Sequence, residues 1–162
     1  MKRKTLSRER NRLRTKHGHR NTTRSLRFDE LANLPFMIGF TDGEGAPLVG
    51  GTSYRLSLPA NIPAANFWSA TLYEAENASG LANGQPFPSL GSRDEPAQNA
   101  DGSTDLYLGP KAPKGKEGNW LATVPGRGYF TIIRLYGPTE AALNKSWKPG
   151  DLEKVKKDGG KS

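Results

Sequence analysis

The chain has 162 residues, with 24 Lys+Arg against 16 Asp+Glu, no Cys, 19 Gly and 12 Pro. Zero cysteines exclude disulfides, thiol nucleophiles and Cys-ligated metals, and no apolar run approaches the roughly 18 to 20 residues a membrane-spanning helix needs. A hydrophobic share of only 34%, with so many turn formers, argues against a helical bundle and for short strands joined by turns.

The formal charge of +8 belongs to one end. Residues 1–27 hold eleven Lys/Arg and a single acid, Glu9, a net +10; the body holds 13 Lys/Arg and 15 Asp/Glu, a net −2. Met1, Leu6, Leu13 and Leu26 are too few large apolar residues to offset the ordering entropy, so this tail is expected to be disordered. It lacks the apolar h-region of a signal peptide, and nothing in it states a localisation. A polybasic arm can meet anionic surfaces or nucleic acid through phosphates, without sequence preference. With no aromatic to stack on a base, it reads as a solvated extension. His17 and His19 lie in it, and one such pair on a floppy arm makes a weak metal site.

The texture changes at Phe28, where the expected β domain, residues 28–162, begins. Phe28-Asp29-Glu30-Leu31 fits a short helical turn. Phe36-Met37-Ile38-Gly39-Phe40 reads as a buried strand, closed by the turn Thr41-Asp42-Gly43-Glu44-Gly45. After Gly50-Gly51, strict alternation puts Tyr54, Leu56 and Leu58 on one face of a strand. Pro59 and Pro63 stop its pairing. In the next strand Trp68, Ala70 and Leu72 face one way, and Phe67, Thr71 and Tyr73 the other. Residues 74–98 are polar and turn-rich and are expected as one long loop. Asp105-Leu106-Tyr107-Leu108 is a short strand ended by Gly109-Pro110. Trp120–Val124 and Tyr129–Tyr136 flank Pro125-Gly126-Arg127-Gly128 and read as the clearest hairpin. Thr139 to Leu143 fits one helical turn before a Lys-rich end. The sum is an all-β fold, an antiparallel β-sandwich or jelly-roll-like domain with one or two short helical turns.

From Phe28 to Ser162 there is no His and no Cys. A Ser-His-Asp triad, a Cys-His pair and His-held metals are therefore excluded there, and no cofactor is called for. Asn99, Asp101, Ser103 and Asp105 alternate side-chain oxygens as a Ca²⁺ loop does, but Thr104 stands at the glycine position and Pro110 at the terminal glutamate position. An Asp-Gly turn is the simpler reading. Gly109 to Lys116 approaches a phosphate loop, yet Gly115 is one residue late and Glu117 stands where Ser/Thr should follow the lysine. Gly126-Arg127-Gly128 is a hairpin tip with no helix after it. Arg134 shares a strand face with Phe130, Ile132 and Tyr136. Its guanidinium is expected either to pair with a carboxylate such as Glu74 or Asp105, or to stack on a ring, or to face a ligand cleft. Trp68, Tyr73, Tyr107 and Trp120 serve either a core or a sugar- or ring-binding face. With Arg134 and Asn119 they make up the candidate ligand-binding set. No spacing selects a catalytic carboxylate pair among Glu74, Asp105 and Glu117.

Tyr54-Arg55-Leu56, Phe67-Trp68-Ser69 and Thr71-Leu72-Tyr73 resemble blocks of a domain family known as DUF 1214. So do Asn99-Ala100-Asp101-Gly102-Ser103, Asp105 through Pro113, and Lys116-Glu117-Gly118-Asn119-Trp120. Val124 through Gly128, Arg134-Leu135-Tyr136-Gly137-Pro138 and Trp147-Lys148-Pro149-Gly150-Asp151 complete the resemblance, over about residues 36–155. It implies a jelly-roll-like β domain, normally the C-terminal part of a longer protein after a β-rich domain, DUF 1254. Many members carry export signals. Neither feature is expected in this chain, and the family has no agreed activity, so no catalytic residue is carried over.

The leading expectation is a non-catalytic β-sandwich module for packing, oligomerisation or ligand binding, the C-terminal part of a larger envelope or secreted protein. Its expected partner is a DUF 1254-like β domain or a second copy. The alternatives are a carboxylate- or Lys/Arg-dependent hydrolase or isomerase with a cleft completed by a missing domain, and non-specific nucleic-acid binding through the tail.

Overall fold

In a computed structural model, residues 26–31 and 34–156 are described, with side chains from Phe36 onward. The expectations for the basic tail, His17 and His19 fall outside them, apart from the backbone of Leu26 and Arg27.

Alternation sorts the strands into two layers, because successive side chains of a strand point to opposite faces. In β3 (Tyr54–Leu58), Tyr54, Leu56 and Leu58 are buried while Arg55 is exposed. β6 (Thr104–Gly109) buries Thr104, Leu106 and Leu108, and β8 (Tyr129–Pro138) buries Tyr129, Thr131, Ile133 and Leu135. β4 (Ala64–Glu74) turns Trp68, Ala70 and Leu72 inward. Two sheets meet over this side-chain layer. One runs β1 (Leu26–Leu31), β2 (Leu34–Gly39), β8, β4 and β5 (Ser89–Gly91). The other runs β7 (Trp120–Ala122), β6, β3 and β9 (Leu152–Lys154). A single leucine-rich cluster joins them, with Leu56, Leu106 and Leu108 from one sheet and Leu72, Ile133 and Leu135 from the other. Each such side chain contributes about 1.5–3 kcal/mol on burial. The fold is an all-β sandwich whose strand pairs are antiparallel except β6 with β7.

Three local expectations are corrected. Residues 28–31 are not a helical turn but part of β1, paired with β2 from Leu26↔Gly39 to Leu31↔Leu34. The expected hairpin at Pro125–Gly128 joins the two sheets instead. β7 pairs parallel with β6 in one layer, and β8 lies in the other. The crossing is tied down by the Thr123 hydroxyl donating to the Gly50 carbonyl at 2.6 Å and the Gly50 N–H donating to the Arg127 carbonyl at 2.9 Å. The third correction is the loop over 74–98, which contains β5 and a 3-10 turn at Ser92–Asp94. Part of it also blunts a sheet edge. Asn83 Nδ2 donates to the Ala122 carbonyl (2.9 Å) and the Ala122 N–H donates to Gln85 Oε1 (3.0 Å), so two side chains supply what a further strand would. The helical turn expected near Thr139 is α1 (Glu140–Leu143). β9, by contrast, lies in what the sequence offered only as a Lys-rich end.

Candidate functional site

A solvent-facing antiparallel sheet face is ordinarily polar. Over β2, β8 and β4 the outer face of the five-stranded sheet is largely apolar instead. Strand register lays its residues in rows: Phe36, Arg134 and Ser69; then Ile38, Ile132 and Thr71; with Phe130 beside Tyr73 and Tyr136 beside Phe67. All of these are half-buried, and Phe40, just past β2, is 51% exposed.

The rings on this face engage one another. Phe67 and Tyr136 stack with centroids 4.0 Å apart and planes 22° from parallel, and the Arg93 guanidinium lies 4.0 Å from the same Phe67 centroid. Two groups that close must sit on opposite sides of the ring, so Phe67 has neither face free. At the other end Arg134 lies over Tyr73, 5.5 Å from its centroid. Tyr73 stacks with Phe130 at 5.3 Å, and Phe130 meets Phe40 at 5.2 Å. Rings stacked on one another in this way, with Phe67 covered on both sides, make an apolar surface and not an open platform on which a sugar ring lies. Arg134 does not pair with either carboxylate expected for it. Glu74 accepts a hydrogen bond from Arg127 Nη1 (2.8 Å), and Asp105 accepts one from Asn99 Nδ2 (3.2 Å).

The structure separates the six predicted ligand-binding residues. Arg134 and Tyr73 meet on this outer face. Tyr107 and Trp120 are register partners on the outer side of the four-stranded sheet, across the sandwich, where the Trp120 indole N–H donates to the Gly109 carbonyl at 2.9 Å. Trp68 is buried in the core. Asn119 is a buried bracket: its Nδ2 donates to the carbonyls of Ala97 (2.8 Å) and Asp105 (2.9 Å), and its Oδ1 accepts the Ala97 N–H (2.8 Å). Phe67, Phe130, Tyr136 and Arg93 complete the aromatic face without having been predicted as site residues. The alternation that turns Trp68 inward was the signal for Phe67; Arg93 approaches Phe67 only through the fold.

The weaker motifs are occupied by their own side chains. In the Asn99–Asp105 turn, the Ser103 hydroxyl and N–H both donate to Asp101 Oδ1 (2.6 and 2.9 Å). These bonds, the hydroxyl's first, hold the Asp101 carboxyl below its ordinary value. In the lysine-rich loop the Gly115 N–H donates to Glu117 Oε1 (3.1 Å), so an anion is already supplied there. Among the described residues no group of three or more His, Cys, Asp or Glu could hold a metal. A polar cleft of about 340 Å³ lies beside the Glu74–Arg127 pair, lined also by Glu76, Asn77, Ser79 and Gly126.

Two β layers on one leucine-rich core, one of them presenting an aromatic outer face, define an all-β sandwich domain. The chain belongs to the DUF1214 family, proteins of unknown function, whose family model matches residues 34–140. No curated protein matches it. Among solved structures it is similar to a structural-genomics target protein from Vibrio parahaemolyticus, with 24% identity over 75% of this chain and 30% of that one and a TM-score of 0.65. It is also similar to an uncharacterised protein from Burkholderia cenocepacia, with 13% identity over 82% of this chain and 32% of that one and a TM-score of 0.51. The likeness is one of fold. The chain spans about a third of the length of these proteins. No helix among the described residues is long and apolar enough to cross a membrane.

Proposed function

We propose that this domain is a non-catalytic packing module, which docks through the outer face of its five-stranded sheet onto a further domain of the kind its longer relatives carry. The observation behind the reading is the half-buried aromatic and aliphatic surface made by Phe36, Ile38, Phe67, Tyr73, Phe130 and Tyr136. A contiguous apolar patch on a sheet face is the mark of an interaction surface, and aromatic residues with Arg are enriched at such interfaces. The opposite outer face offers Arg55 paired to Glu153 instead (2.9 Å).

Superposition on the Vibrio parahaemolyticus structure tests this. The remaining two thirds of that chain should cover the equivalent face and leave the outer side of the four-stranded sheet open. An equivalent face left in solvent there would overturn the reading. In solution, the full chain should bind the neutral apolar dye Nile red, and the double variant Phe67→Lys, Phe130→Lys should lose most of that binding. Tyr107→Lys, on the opposite face, should keep it.

A further inference from the structure

We infer that the surface this face accepts is apolar but carries carboxylates, one meeting Arg134 and one meeting Arg93, and is contributed by the further chain of the longer proteins. The inference rests on the packing reading above.

Both guanidiniums lie over rings of the face, Arg93 at Phe67 and Arg134 at Tyr73. A stacked guanidinium uses its flat side and keeps its N–H edge for acceptors. Among the described residues no ion pair or hydrogen bond reaches either group; the arginines so engaged are Arg55 and Arg127. The row of Arg134 does run through Phe36 to Asp29 in the backbone register of β1. The guanidinium leans the other way, toward Tyr73 on β4, with β2 between Arg134 and β1. A partner that covered this face with apolar groups alone would bury two cations without counter-charge, which is strongly unfavourable. A second copy of the chain is a poor occupant for the same reason. An isologous contact sets the face against itself, and among the described side chains that face offers no carboxylate to receive either guanidinium. What remains is a different surface whose acids complement the two arginines.

Anilinonaphthalene sulfonate, an apolar anion, serves as the probe, with Nile red as its neutral counterpart, both titrated against the full chain. Arg134→Met keeps an apolar stem and removes the charge. It should weaken sulfonate-dye binding about tenfold and the double variant Arg93→Met, Arg134→Met further, as expected for lost charge-assisted contacts, with Nile red changed less than about twofold. Unfolding curves confirm that the variants fold, and Arg134→Lys, which keeps the charge, should recover part of the loss. The basic tail is identical in every protein compared and cancels. Equal sulfonate-dye affinity in all of them, with Nile red still bound, would overturn this inference and leave the packing reading standing. Failure of Nile red to bind the parent chain would overturn the packing reading itself. A discrete dimer by light scattering at low salt, abolished by the Phe67 and Phe130 changes, would also overturn the inference, because a second copy would then be the occupant.

Discussion

Arg134 reaches Tyr73 diagonally. Its register partner on β4 is Ser69, while Tyr73 pairs with Phe130, yet the guanidinium spans the intervening row to lie 5.5 Å from the Tyr73 centroid. A half-exposed cation held on a ring contributes about 0.5–1 kcal/mol. A buried, partnered one costs about 3–5 kcal/mol when its partner is left behind. Arg134→Met should therefore lower stability by less than about 1 kcal/mol in urea unfolding; a loss of 3 kcal/mol would reveal a buried ionic partner.

Asn119 should matter far more than Arg134 to folding. Its buried side chain bonds the carbonyls of Ala97 and Asp105 and the Ala97 N–H, and so ties Ala97 to β6. Asn119→Ala removes all three hydrogen bonds from around a buried position, at a cost of about 1–3 kcal/mol. Sulfonate-dye binding, read at a temperature where both proteins are folded, should not change.

Asp42 makes the turn after β2 sensitive to acid. Burial pushes its carboxyl up, but hydrogen bonds from the N–H groups of Ala46 and Glu44 (each 3.0 Å) and the Lys154 ammonium 3.3 Å away outweigh this, and the carboxyl lies below its ordinary value. A depressed folded value means that its stabilisation is present above the unfolded value near pH 4 and is lost as pH falls through the folded one. Asp42→Asn should cost about 2 kcal/mol at pH 7, and the difference between parent and variant should shrink below about pH 4. An unchanged difference at pH 3 would contradict this.

Two adjacent glycines should behave oppositely. A Cβ at Gly50 would collide with the Val124 carbonyl where the chain crosses between sheets, whereas a Cβ at Gly51 meets nothing within 4 Å. Gly50→Ala should destabilise by more than about 3 kcal/mol, or prevent folding. Gly51→Ala should stay within about 0.5 kcal/mol of the parent.

Thr131 offers a stabilising change. Its hydroxyl is buried in the inner face of β8 with no hydrogen-bond partner among the described residues. Thr131→Val keeps the β-branched shape and removes that polar group, so stability should rise by about 1 kcal/mol. A lower melting temperature would mean that the hydroxyl has a partner.

The period-two patterns of β3, β4 and β8 were legible because alternation and burial act on each strand separately. Tyr54, Leu56 and Leu58, and Trp68, Ala70 and Leu72, fall inward as their spacing requires. Arg134 was equally legible as a cation on an apolar face, and Tyr73 as a residue facing away from Trp68. Asn119 was visible only as part of a motif, because the carbonyls it brackets come from Ala97 and Asp105, on separate segments.

Local sequence determined the strand character of this chain, the inward set of each central strand, and the absence of His and Cys chemistry after Phe28. Which strands become neighbours was decided only in three dimensions. The residues flanking Pro125–Gly128 carry every local mark of a hairpin, yet β7 joins β6 in one sheet and β8 joins β2 and β4 in the other. A turn signal states that the chain reverses; it does not state which backbone groups the departing strand will meet. Those are set by the competition among all the strands for hydrogen-bond partners and for one shared core. The same competition stacks Phe67, Tyr136 and Arg93, from three separate segments, on one surface.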